Sequence, residues 1–190
     1  MPRLSAALLL VVASVTLAAL FPRVTLTWAG SSKAEICDVD ADSALGLEDY
    51  PAAIALHSIV LRIHNDNALA HYHLGFAYGM TGRTADEINE YLAATRLGLD
   101  KWDLFLNLGL AYLTQNDCPK AIKALQAAAV FGPDRSEAHF NLAIAYEKVK
   151  RLHEAELEIV TALRLAPEAL DEHNTKAIIC AELLRERPCS

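Results

Sequence analysis

The chain has 190 residues, 53% hydrophobic and 22% charged, with only 8 Gly and 7 Pro; it is long enough to bury a core and is neither disordered, collagen-like nor low in complexity. Arg3, Arg23 and Lys33 are the charged side chains of the first 33 residues, so the rest holds 14 basic against 24 acidic residues, a formal charge of −10. A body this acidic, with no basic stripe, repels a phosphate backbone, and no nucleic-acid partner is expected.

Residues 4–21 run for 18 positions without a charge. That exceeds the roughly 7–15 apolar residues of a usual secretory signal and reaches the lower edge of the about 17–25 that cross a bilayer. Residues 1–33 are therefore expected to act as a signal peptide or a membrane anchor, with membrane contact through residues 4–21. Small residues at Ala29 and Ala34 offer cleavage points, while Trp28 suits an interface if the segment is retained. The body that follows is expected outside the cytoplasm, which is the periplasm in a Gram-negative cell. No Cys directly follows the apolar run, so a lipid anchor is not indicated.

From there the chain repeats itself every 34 residues. Leu74-Gly75 with Tyr78 recurs as Leu108-Gly109 with Tyr112 and as Leu142-Ala143 with Tyr146; Ala121 matches Ala155, and Ala94 matches Ala128 and Ala162. Tyr91, Leu125 and Ile159 share an apolar column, and Pro133 and Pro167 close two units at one offset. Gly or Ala where two antiparallel helices cross lets their backbones approach, while larger residues three or four positions away fill the flanks. Each unit is thus predicted to be a helical hairpin, and stacked hairpins bury the apolar face that one cannot bury alone. The expected fold is an all-α solenoid, with units at 68–101, 102–135 and 136–169.

A degenerate unit precedes these at about 34–67. Its second helix, from Tyr50-Pro51, aligns with Cys118-Pro119, with the prolines in the first turn where the missing N–H is tolerated. Its first helix has Asp40-Ala41 where the others have Leu-Gly or Leu-Ala, which fits an N-terminal cap with a polar outer surface. Asp38, Asp40, Asp42 and Asp49 also match positions 1, 3, 5 and 12 of an EF-hand calcium loop. Against that, Ser43 stands where the loop needs Gly, and Asp49 is suited to capping the helix that follows. After Pro167, residues 170–190 are expected to form a C-terminal capping helix and tail.

With Leu-Gly-x-x-Tyr, two later Ala columns and a closing Pro on a 34-residue period, residues 68–169 resemble the tetratricopeptide repeat (TPR) family. His71 and His139 depart from its large aromatic near the start of the unit, which Phe105 keeps, and Glu87 stands where Ala121 and Ala155 stand. Glu87 is expected to loosen its hairpin or to reach its edge. The resemblance implies a protein-interaction scaffold whose concave face is lined by the first helix of each unit. Carried over, that face comprises Leu69, Tyr72, Phe76 and Met80, then Asp103, Leu106, Leu110 and Leu113, then Glu137, Phe140, Ile144 and Lys148. Its apolar members, Leu69, Tyr72, Phe76, Met80, Leu106, Leu110, Leu113, Phe140 and Ile144, are the candidate partner-binding residues. Tyr72 and Phe76 occupy the places where the family's carboxylate clamp has its first Lys and Asn, so a peptide or helix with an apolar face is the expected partner. The other possibility is self-assembly, with the face filled by its own chain or by a second copy in a homo-oligomer.

Signs of catalysis are lacking. Cys37, Cys118, Cys180 and Cys189 have no CxxC spacing and no metal-ligand pattern, so no zinc or other metal site and no cofactor are expected. Cys180 and Cys189 are too far apart along a helix to pair unless the tail folds back after Pro188. Cys118 is expected in an exposed turn, and the seven His, dispersed along the chain, are given packing and surface roles.

Overall fold

The computed structural model describes residues 39–167. The apolar segment 4–21, Cys37, Asp38 and the expected C-terminal helix with Cys180 and Cys189 lie outside the described residues. Among those described, no helix is long and apolar enough to cross a membrane.

Among the described residues eight helices follow in order: α1 (Val39–Gly46), α2 (Tyr50–Ile63), α3 (Ala68–Met80), α4 (Thr84–Arg96), α5 (Trp102–Thr114), α6 (Cys118–Phe131), α7 (Ser136–Lys148) and α8 (Leu152–Leu165). In the three full units each odd-numbered helix packs most extensively on the even-numbered one that follows it, and neighbouring first helices touch along the array. The predicted all-α stack of hairpins is what forms. The crossings are close for the expected reason: a Cβ on Gly75 would lie 2.8 Å from the Tyr91 ring, and one on Gly109 would lie 2.5 Å from Leu125 Cγ. Tyr91 and Leu125 are fully buried, as are the Ala columns at 94, 128, 121 and 155.

Helix starts obey local chemistry. Asp49, Asn67 and Asp117 accept hydrogen bonds from the backbone N–H groups of Ala52, Ala70 and Lys120 at 3.1, 3.1 and 3.3 Å. Asp49 is therefore a cap, as expected. Asp40 and Asp42 lie inside α1, so residues that a calcium loop would wrap around an ion are wound into helix instead, and the EF-hand reading fails. Cys118 is likewise not exposed. As the first residue of a capped helix it turns inward and is buried.

The turn inside every hairpin has one geometry on the 34-residue period. Glu48, Gly82, Asn116 and Lys150 are all left-handed, with φ of 59, 75, 59 and 62°. In each, the N–H of the next residue bonds back across the helix end, from Asp49 to Ala44, Arg83 to Tyr78, Asp117 to Tyr112 and Arg151 to Tyr146. Only Gly and Asn adopt that conformation cheaply. Lys150→Gly is therefore expected to raise the unfolding free energy by about 1 kcal/mol, because the side chain it loses contributes only a long, exposed 4.0 Å ion pair with Glu147. Urea unfolding checks this, and an unchanged or lower midpoint contradicts it.

Glu87 neither opens its hairpin nor merely borders it. Its carboxylate lies across Gly79, where a Cβ would come within 2.6 Å of Oε1; the equivalent residues are Leu113 and Glu147. The missing side chain at 79 makes room for the extra one at 87. Burial without a cationic partner pushes the Glu87 carboxyl up to about 7.

Among the described residues the core falls into two clusters. The larger runs from Ile88 to Ile159, and a smaller one in the cap joins Ala44, Ala53 and Ala77.

Candidate functional site

The nine predicted binding residues lie on the first helices α3, α5 and α7, at periodic positions. Tyr72, Leu106 and Phe140 form one column, and Phe76, Leu110 and Ile144 form the next. None of the nine is buried. Met80 is 53% exposed and Leu110 37%; the other seven are half-buried. Tyr72, Leu106, Leu113, Phe140 and Ile144 pack their inner sides against the main core, which fixes their backbones and leaves their outer sides in solvent. Phe76 meets the Tyr50 ring edge-on at 6.4 Å.

Polar groups hold this face in place. The Tyr72 hydroxyl donates to Asp103 Oδ2 at 3.0 Å, tying α3 to α5, and Lys101 sits over the Tyr72 ring. Burial and the neighbouring Asp103 carboxylate raise the Tyr72 phenol well above its ordinary range. The histidines that replace the family aromatic make a matched device in two units: His71 Nδ1 lies 2.5 Å from Glu90 Oε2, and His139 Nδ1 lies 2.6 Å from Glu158 Oε2. The bond to Glu90 raises the His71 pKa, partly opposed by burial. In the middle unit the corresponding pair is Phe105 and Ala124, apolar on both sides.

Clefts also open elsewhere among the described residues. One of about 270 Å³ lies among α4, α5 and α6, with Leu92, Leu108 and Ala124 in its wall and Lys120 and Lys123 at its rim. Another, of about 400 Å³, lies between α6 and the turn joining α7 to α8, with Ile122, Gln126, Val149 and Arg151 among its lining. None of the nine predicted residues lines either cleft.

Sequence reasoning missed one constellation altogether. Asp42 on α1, His57 on α2 and His73 on α3 converge, their nearest ligand-type atoms all within 4.8 Å of one another. His57 is fully buried, and its ring meets that of His73 edge-on at 5.2 Å. Burial lowers the His73 pKa, against the opposing pull of Asp42. Residues 15 and 16 positions apart on three helices give no local spacing signal. The periodic columns do give one, because His57 stands where Tyr91, Leu125 and Ile159 stand.

The tetratricopeptide repeat profile matches residues 40–99 and 106–169, so it takes in the degenerate cap as well as the three clear units. No curated protein sequence matches the chain. Among solved structures, YrrB, described as a TPR protein with an unusual peptide-binding site, superposes with a TM-score of 0.70 at 20% identity, over 77% of this chain and 76% of that one. MamA from Desulfovibrio magneticus gives 0.64 at 17% identity, over 76% and 89%. The first TPR domain of Spaghetti (RPAP3), solved with the HSP90 peptide SRMEEVD, gives 0.57 at 20% identity, over 62% and 93%. At these identities the likeness is one of fold.

Proposed function

The chain belongs to the tetratricopeptide repeat family, and from that we propose that it is a binding scaffold that holds an apolar segment of another protein, helix or extended peptide, against α3, α5 and α7. The observation that carries the reading is the two-column stripe of Tyr72, Leu106, Phe140, Phe76, Leu110 and Ile144: apolar or aromatic at every position, buried at none, with Tyr72, Leu106, Phe140 and Ile144 packed on the main core from beneath. Soluble proteins rarely leave such a stripe open without using it. Structural relatives solved with a peptide or described by a peptide site are consistent with this use of the fold. An acidic segment is a poor occupant here, because the body from residue 34 onward carries −10 and Tyr72 and Phe76 stand where clamp residues would be. Residues 1–33 would place the scaffold at or across a membrane, with its partner outside the cytoplasm.

Leu110 is the best probe, since it is exposed in the centre of the stripe and its loss leaves the core intact. A photo-crosslinking residue at 110, with one at the exposed position 123 as control, should capture the partner in cells from 110 alone. Leu110→Asp should then weaken that partner by at least about 10-fold, roughly 1.4 kcal/mol, with helicity unchanged. Adducts from neither position, or undiminished affinity, would sink the reading. Adducts only to a second copy would favour self-assembly, for which exposed Val130 and Phe131 on α6 and Leu157 and Val160 on α8 supply apolar surface.

A further inference from the structure

We propose that Asp42, His57 and His73 form a binding site for a divalent transition-metal ion of the zinc class, at the junction of α1, α2 and α3. The donors suit such an ion: two imidazole nitrogens and one carboxylate oxygen favour zinc and its neighbours over calcium or magnesium, which take oxygen ligands.

Their spacing suits it too. His73 Nδ1 is 2.8 Å and His57 Nε2 is 3.8 Å from Asp42 Oδ1. Metal–ligand bonds of about 2.0–2.2 Å in a tetrahedron set donors about 3.3–3.6 Å apart, a range that lies between those two distances. All three donors lie within 4.8 Å of one another, so the shell closes by drawing them together around the ion. With three protein ligands, the fourth position is left for water or for a group brought by a partner. Asp42 is 37% exposed at its side chain and His57 only 1%, so the ion would reach the site past Asp42 and be held from below by His57.

The repeat itself provides an internal control. One period on, the same three positions are Phe76, Tyr91 and Asn107; two periods on they are Leu110, Leu125 and Asn141. The fold therefore builds this junction without Asp or His. A fully buried imidazole in an apolar column, facing a second imidazole and a carboxylate, is not needed to close a hairpin. The three donors also come from three different helices, so one ion would staple the short, eight-residue α1 to the array. Asp42 belongs to the column of Phe76, Leu110 and Ile144, so the open coordination position would stand at the end of the apolar stripe.

The test is a titration of the full-length chain, in detergent, with Co²⁺ as a spectroscopic substitute for Zn²⁺. Visible d–d absorption saturating at one ion per chain, displaced by Zn²⁺ and reversed by chelation, is the expected result. His57→Leu, His73→Asn and Asp42→Leu each install the residue of another unit, so helicity should be retained while affinity falls more than about 100-fold, beyond the cost of losing an outer-shell partner. Zn²⁺ should also raise the melting temperature of the wild type and not that of the variants. If Asp42→Leu fails to fold, His73→Asn alone carries the comparison. Absence of a d–d band, or undiminished affinity in folded variants, overturns the proposal and leaves a hydrogen-bonded His73–Asp42 pair beside a packed imidazole. A thiolate charge-transfer band overturns it as well, because the ion would then sit on the cysteines.

Discussion

Replacing Leu125 with Ala should lower the unfolding free energy by about 2–5 kcal/mol, and adding Gly109→Ala should then recover roughly 1 kcal/mol of it, although Gly109→Ala alone is destabilising. Leu125 is fully exposed to neighbours and not at all to solvent, so its truncation leaves a cavity that rigid helices close only in part. A methyl group at 109 in the wild type would fall 2.5 Å from Leu125 Cγ, a branch point that cannot swing aside. The resulting strain of about 1–3 kcal/mol outweighs the roughly 1 kcal/mol by which Ala exceeds Gly in helix propensity. Once Leu125 is gone the clash is gone, and the propensity gain and the filled space remain. Urea denaturation of the four proteins completes the cycle, and additivity within about 0.5 kcal/mol would show that the two residues do not share the space inferred for them.

Glu87→Gln should stabilise the chain by about 1–2 kcal/mol at pH 8 and by almost nothing at pH 4. The carboxyl titrates near 7 in the folded chain against an ordinary 4.5, so folding favours its protonated form. The native state carries no penalty below pH 4.5; the cost grows as pH rises from there to about 7 and is complete above it. The full shift corresponds to about 3 kcal/mol, and the group's partial exposure reduces that. Its place in the first turn of α4, where the helix dipole welcomes negative charge, reduces it further. Gln keeps the shape that fills the space over Gly79 and removes the ionisation. Equal stabilisation at both pH values would mean that the carboxylate is solvated.

The helical hairpins are legible in the sequence because helix crossing demands small residues at fixed intervals, and Gly75, Gly109 and Ala143 keep that interval without a slip. Caps were equally open to reading, since Asp49 acts within three residues of itself. The left-handed turns were half hidden. Gly82 and Asn116 announce such a turn, but Glu48 and Lys150 adopt it because the flanking helices impose it. The match between Glu87 and Gly79 is invisible within the column that holds Glu87, because the compensating change lies in the partner helix. The Asp42, His57 and His73 cluster is hidden for a related reason: ligand spacings along the chain do not reveal residues that meet only across three helices. The periodicity places the nine candidate residues on first helices, but it does not rank their exposure. Phe76 is partly covered by Tyr50, and Met80 and Leu110 are the most open of the nine.

The fit between Gly75 and Tyr91, and between Gly109 and Leu125, also bears on how such an array lengthens or shortens. Each glycine is matched to a bulky side chain of its own hairpin, so a duplication that copies α3 and α4 together copies a working pair. A recombination breakpoint between Met80 and Thr84 separates them, and joining α7 to α4 would press the methyl of Ala143 against the Tyr91 ring. Selection therefore acts on the intact hairpin as the inheritable brick, and the helix alone is not interchangeable.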